Sequence, residues 1–261
     1  MTRAATLTAA SPSFKTPRLR LGPLTPPRLD KVQQFLLLAP VVLFSMVAHE
    51  YAHGYAALKQ GDPTAFQLGR LTWNPLRHID PFMTVLLPLL TFYGSGGSFM
   101  FGGAKPVPVV PRNYRNYKRG DIIVSLAGIA TNLVLSIVCT IVIVILGALG
   151  HASSASVTTL AILQRMMEFG VLFNLVLAVF NLLPIPPLDG SHVVKYLLPP
   201  AWALRYQQVG RFGIVILMLL IATRIGQPIF NAWMKPVYVL LAFASSVYSP
   251  FMLESSFFRG F

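Results

Sequence analysis

The chain has 261 residues, 54% of them hydrophobic and only 11% charged. A soluble domain of this size carries about a quarter charged residues, so the composition excludes one and indicates an integral membrane protein with several spans. The net charge of +13, from 21 basic and 8 acidic residues, then marks cytoplasmic loops and attraction to anionic lipid. No RNA- or DNA-binding motif accompanies it, and the single cysteine, Cys139, excludes an internal disulfide or a cysteine-rich metal site.

Residues 1–32 are rich in Pro, Thr, Ser and Arg, lack helical periodicity and read as a disordered basic extension. A membrane helix follows over roughly 33–58, with the apolar run FLLLAPVVLFSMVAHEYAHGYAAL at its heart. Residues 59–80 read as a polar loop that turns at Gly61-Asp62-Pro63. The apolar piece from Pro81 to Tyr93 is too short for a span, which needs about 20 residues. Glycines follow it, so 81–104 reads as a re-entrant or broken segment at least as readily as a clean span. Lys105-Pro106-Val107-Pro108 is held extended by its prolines, and an incoming substrate could pair with the chain around 105–109, or with 81–104, as an added strand.

A second span covers 122–150 and a third roughly 161–183, separated by a short turn at 151–159. Residues 191–206 look interfacial, and 207–224 with 228–250 form a closing pair. The expected architecture is all-α and polytopic, with about five to six membrane segments. A core over 33–200 is followed by C-terminal membrane helices over 201–261, leaving no room for an ordinary soluble domain.

Within the first span the only ionisable side chains are His49, Glu50 and His53, in an HExxH pattern. Histidines four apart project from one helix face and can hold one metal ion. Glu50, about a third of a turn away, can take a proton from water at that ion. Ionisable groups at membrane depth are costly and mark function.

A catalytic zinc usually takes a third protein ligand. Asp30, Asp62, Asp80, Asp121 and Glu254 fall in loops or at span ends, and Glu168 lies early in a span. Asp189 closes an apolar run just after Pro184, Pro186 and Pro187. Irregular backbone at membrane depth survives only inside protein or beside a water-filled cavity, so Asp189 is the expected third ligand. His49, His53 and Asp189 can share one ion if the first and third spans run parallel, which makes 81–104 re-entrant. A transporter or channel using His49, Glu50, His53 and Asp189 as a proton relay or cation site is the alternative.

Three stretches together resemble the site-2 protease family of intramembrane zinc metalloproteases: His49-Glu50-Tyr51-Ala52-His53, Gly128-Ile129-Ala130-Thr131-Asn132, and Asn181-Leu182-Leu183-Pro184 leading to Leu188-Asp189-Gly190. The runs GRLTWNPLRHIDP (69–81) and FGGAKPVPV (101–109) are similar to the short bacterial branch without a PDZ domain. The resemblance implies a three-helix catalytic core, one zinc held by His49, His53 and Asp189, and Glu50 as acid–base. It places Asn132 and Asn181 near the site, in contact with substrate or oxyanion. The implied substrate is a transmembrane protein, cut in a bacterial cell membrane; nucleic acid is not a partner.

The chain departs from the family pattern at Ile129, where proline often follows the glycine, and at Gly103, where tryptophan is common. Basic residues in the loops flanking the motifs put the site on the cytoplasmic side, against the opposite pull of Arg3, Lys15, Arg18, Arg20, Arg28 and Lys31 in the tail. Bland readings remain for Asn132 as helix–helix glue and Gly128 as a packing contact. His78 and His192 read as interfacial or surface residues, and His151 as a turn residue.

Overall fold

The computed structural model describes residues 31–94, 96, 102–152 and 157–253; the expected N-terminal extension lies outside them except for its last two residues. In chain order the helices are α1 (Lys31–Gln60), α2 (Thr64–Gln67), α3 (Leu87–Gly94), α4 (Tyr117–Ala152), α5 (Val157–Asn181), α6 (Asp189–Val194), α7 (Pro200–Val209), α8 (Gly213–Ala222), α9 (Gly226–Trp233) and α10 (Lys235–Tyr248). No strand occurs among the described residues. Among the described residues, four helical stretches are long and apolar enough to cross a membrane: Phe35–Gln60, Tyr117–Ala152, Val157–Asn181 and Pro200–Ile221. The fold is an all-α polytopic membrane bundle.

α4 starts before the expected Ile122. Its 36 residues make it about 54 Å long, well beyond the roughly 30 Å of a hydrocarbon core. The turns carrying Lys118, Arg119 and Asp121 are helix that hydropathy does not register. The fourth span likewise begins at Pro200 rather than near 207, because proline is suited to the first helical turn. The expected helix over 228–250 is two helices, α9 and α10, separated at Met234. Pro236 stands in the first turn of α10, where its missing amide hydrogen cannot continue the bonding of α9.

The three core helices alternate in direction. His53 meets Val124 and His49 meets Asn132, so α1 and α4 are antiparallel. Asn132 meets Asn174 and Ile143 meets Gln164, so α4 and α5 are antiparallel too. α1 and α5 therefore run parallel, the arrangement that a shared ion requires.

Between α1 and α4, Pro81–Gly94 is a single short apolar helix. The chain returns along it: the Gly103 amide donates to the Met83 carbonyl at 2.9 Å, and the Thr84 hydroxyl donates to the Gly103 carbonyl at 2.7 Å. Entry and exit lie side by side, as a re-entrant hairpin demands. Asp80 starts it by accepting from the amides of Phe82 and Met83.

Where α4, α5 and α10 meet, Ile143, Val171, Leu175, Val179, Met234, Val237 and Tyr248 form the main apolar core. Lipid tails are as apolar as these side chains, so close packing and buried polar contacts must hold the helices together. Gly170 shows the first: a Cβ there would lie 2.7 Å from Cys139 Sγ. Gln164 shows the second, donating to the Ile143 and Phe251 carbonyls and accepting from the Leu253 amide. Val134, Ile137, Ile141, Ile145 and Leu149 form an exposed stripe along α4, spaced to face lipid.

Candidate metal centre

α1 carries His49 and His53 one turn apart, and both rings press against α4. The contact depends on Gly128, where a Cβ would sit 2.5 Å from His49 Cε1 and 2.6 Å from His53 Nε2. His49 Nδ1 lies 2.6 Å from Asn132 Oδ1, and His53 Nδ1 lies 2.7 Å from the Val124 carbonyl. Both partners are oxygens that can only accept, so each Nδ1 carries the hydrogen and each Nε2 is a bare lone pair.

Those two Nε2 atoms are 3.0 Å apart. Asp189 Oδ2 stands 3.2 Å from the first and 3.3 Å from the second. It is buried and has no hydrogen-bond partner, as expected if no hydrogen points at it. Two lone pairs and an anionic oxygen converging on one point repel one another unless a cation sits between them. Ligand atoms at zinc's bond lengths in a tetrahedron are about 3.3 Å apart, so the donor set and its spacing fit zinc.

Asp189 reaches this point because α5 ends at Asn181 and the chain turns through Pro184–Leu188 before α6 begins. Gly190 packs onto the backbone of Leu182, which leaves no room there for a Cβ. At the far end of α6, Asp121 and Lys195 form a buried ion pair, and His192 Nδ1 (3.1 Å) and the Tyr196 hydroxyl (2.9 Å) also bind the Asp121 carboxylate. The segment bearing Asp189 is thereby clamped to the first turns of α4. His192, partly exposed as a surface position implies, also belongs to this clamp; Asp121 and Lys195 had no expected role.

Glu50 accepts a hydrogen bond on Oε2 from the Val107 amide at 2.8 Å. Residues 104–110 form no helix or turn, and Val107 among them lies against Glu50 and Gly54 of α1. The Lys105 amide is committed to the His78 carbonyl and that of Val107 to Glu50, while Pro106 and Pro108 have no amide hydrogen. His78 is fully buried, and its Nε2 donates to the Thr72 carbonyl. His151 caps its own helix end by bonding the Gly147 carbonyl.

The two asparagines sit differently. Asn132 is wholly buried; its oxygen faces His49 and its amide nitrogen donates to Asn174 Oδ1 at 2.8 Å. Both groups are engaged inside the protein, and Asn132 bonds the His49 ring. Asn181 is partly exposed at the end of α5, donating to the Leu177 carbonyl one turn back. Asn174 escaped the sequence reading, although an asparagine in so apolar a run is itself a signal.

Parallel helices that bring two histidines and a carboxylate together at membrane depth define an integral membrane protein built around one divalent metal. Comparison with known proteins sharpens this. The description of peptidase family M50 matches residues 37–221, from α1 through most of α8, and the chain belongs to that family. It is 34% identical over 222 residues to the Bacillus subtilis protein named "Putative zinc metalloprotease YwhC", covering 84% of this chain and 94% of the relative. It is 31% identical over 205 residues to the Mycolicibacterium smegmatis protein named "Putative zinc metalloprotease Rip2", covering 78% and 72%. No solved structure matches significantly. The protein is a membrane metalloprotease that uses zinc.

Proposed function

We propose that the protein cuts peptide bonds in or near the transmembrane segments of other membrane proteins, in a bacterial cell membrane, with its site toward the cytoplasm. The observation that carries this reading is the depth of the site: Glu50 and the three ligands lie on or between helices apolar enough to span a bilayer. Beside them, a cleft of about 260 Å³ opens between α1, the hairpin and α5, lined by apolar groups such as Phe35, Leu43, Val85, Pro88 and Phe173. An apolar peptide segment suits such a cleft, and nucleic acid does not.

His49, His53 and Asp189 would hold the zinc, which when bound supplies the Lewis acidity that activates water and polarises the scissile carbonyl. Glu50 takes the proton of the attacking water and delivers it to the leaving amine. The Val107 amide fixes one carboxylate oxygen, leaving Oε1 to carry the proton. Asn181, partly exposed where α5 ends, would meet substrate. The ring geometry disfavours a proton relay, because both Nδ1 hydrogens end on carbonyl oxygens that cannot pass a proton on.

The cytoplasmic assignment rests on charge. The end of the bundle bearing the site also bears Lys59, Arg70, Lys105, Arg115, Lys118 and Lys195, and basic loops stay inside. The chemistry is tested by comparing the membrane proteomes of cells making wild type or Glu50→Gln. Fragments cut within spans should appear only with wild type, while both proteins retain zinc. Equal cleavage by the variant would overturn the assignment.

A further inference from the structure

Starting at His49, a chain of buried side-chain amides crosses all three core helices and comes back to α1. His49 Nδ1 meets Asn132 Oδ1 on α4 at 2.6 Å, and Asn132 Nδ2 donates to Asn174 Oδ1 on α5 at 2.8 Å. Asn174 Nδ2 then donates to the Gly170 carbonyl at 2.8 Å and to Ser45 Oγ at 2.9 Å. Ser45 stands one turn before His49 on α1. All three polar residues between the two ends, Asn132, Asn174 and Ser45, are at most 1% exposed.

The direction of this chain is determined at its far end. The Gly170 carbonyl can only accept, so the Asn174 atom facing it must be the amide nitrogen. Its oxygen then faces Asn132, which must answer with its own nitrogen. The remaining oxygen of Asn132 is turned to His49 and forces the hydrogen onto Nδ1, leaving Nε2 free. An asparagine at 132 alone cannot do this, since an amide can rotate to present either oxygen or nitrogen to the ring.

We propose that Asn174 is a positioning residue for the zinc centre: by fixing the rotation of Asn132 it holds His49 in the tautomer and orientation that bind metal. This rests on the metal-centre reading given above. Partners behind a ligating histidine typically contribute about 10- to 100-fold to metal affinity, so Asn174→Leu should weaken zinc binding by that factor.

The test is chelator competition for zinc by purified protein in detergent, with the absorption spectrum of the cobalt-loaded protein as a second readout of the ligand field. The decisive variant pairs Asn174→Leu with Asn132→Asp. A carboxylate has oxygen on both sides and accepts from His49 Nδ1 whichever way it turns, so it needs no Asn174 to orient it. The double variant should recover most of the lost affinity and the wild-type cobalt spectrum, although the introduced leucine side chain still disturbs the same packing. If leucine is not accommodated, Asn174→Ala with and without Asn132→Asp poses the same question.

Wild-type affinity in the Asn174 variant overturns the proposal, and so does a double variant as weak as the single one, since loss would then come from packing alone. A wild-type protein that takes up no zinc overturns the metal centre itself and this proposal with it.

Discussion

Glu50 depends on a single backbone hydrogen. In the run Lys105-Pro106-Val107-Pro108 only Lys105 and Val107 carry amide hydrogens, and Lys105's is used on His78, so Val107 alone is left for the carboxylate. Val107 is buried, and Gly54 on α1 makes room for it: a Cβ at position 54 would lie 2.9 Å from Val107 Cγ1. A hydrogen bond to a charged group contributes about 1.5–3 kcal/mol, which corresponds to roughly 10- to 100-fold in rate if it is needed to aim the base. Against a Val107→Ala control, which keeps the amide hydrogen but loses the same contact with Gly54, Val107→Pro removes the donor. We expect it to retain zinc and to cleave a membrane substrate more slowly by that factor, measured as product formed per zinc-loaded enzyme. An unchanged rate would show that Glu50 aims itself.

At the scale of elements, Asp62 joins the end of α1 to residues 104–110, whose Val107 lies against Glu50. It is fully buried and accepts from the Val110 amide (2.6 Å), the Asn113 side chain (2.9 Å), and both the amide and hydroxyl of Thr64. Burial disfavours its charge, but the four hydrogen bonds outweigh burial and hold its carboxyl below the usual carboxylate range. A depressed folded value means that the stabilisation is complete above the unfolded pKa of about 3.9 and is lost as pH falls through the folded one. Asp62→Asn should therefore unfold more readily than wild type in detergent at pH 7, and the gap should narrow below about pH 4. A gap that does not change with pH would mean that Asp62 contributes nothing through its charge. The sequence marked 61–63 only as a turn, because an aspartate in a loop looks the same whether solvated or buried. The same blindness hid the Asp121–Lys195 pair and the buried His78. By contrast His49, His53 and Asp189 were legible, since ionisable groups in apolar runs have few bland explanations. Helix ends outside the hydrocarbon region, such as the first turns of α4, carry no hydropathy signal and were missed.

For the molecule as a whole, the parallel course of α1 and α5 and the out-and-back hairpin between α1 and α4 fix one relation: the C-terminal end of α1, the segment 102–116, the start of α4 and α6 all lie at one end of the bundle. The Arg115 amide bonds the Gln60 carbonyl, and Lys195 pairs with Asp121, so this relation follows from contacts and needs no membrane to establish it. The far end of α4, at His151, must then lie on the opposite face of the bilayer, because the helix is about 54 Å long. Which face is which follows from charge alone, and it can be read with thiols, since Cys139 is the sole cysteine. In a Cys139→Ala background, Arg112→Cys should react with a membrane-impermeant maleimide only in inverted vesicles, and His151→Cys only in right-side-out cells or vesicles. The reverse pattern would place the site on the outer face and overturn the charge argument while leaving the fold intact. Labelling of both positions from one side would contradict the antiparallel passage of α4 between α1 and α5, and with it the geometry that brings Asp189 to the two histidines.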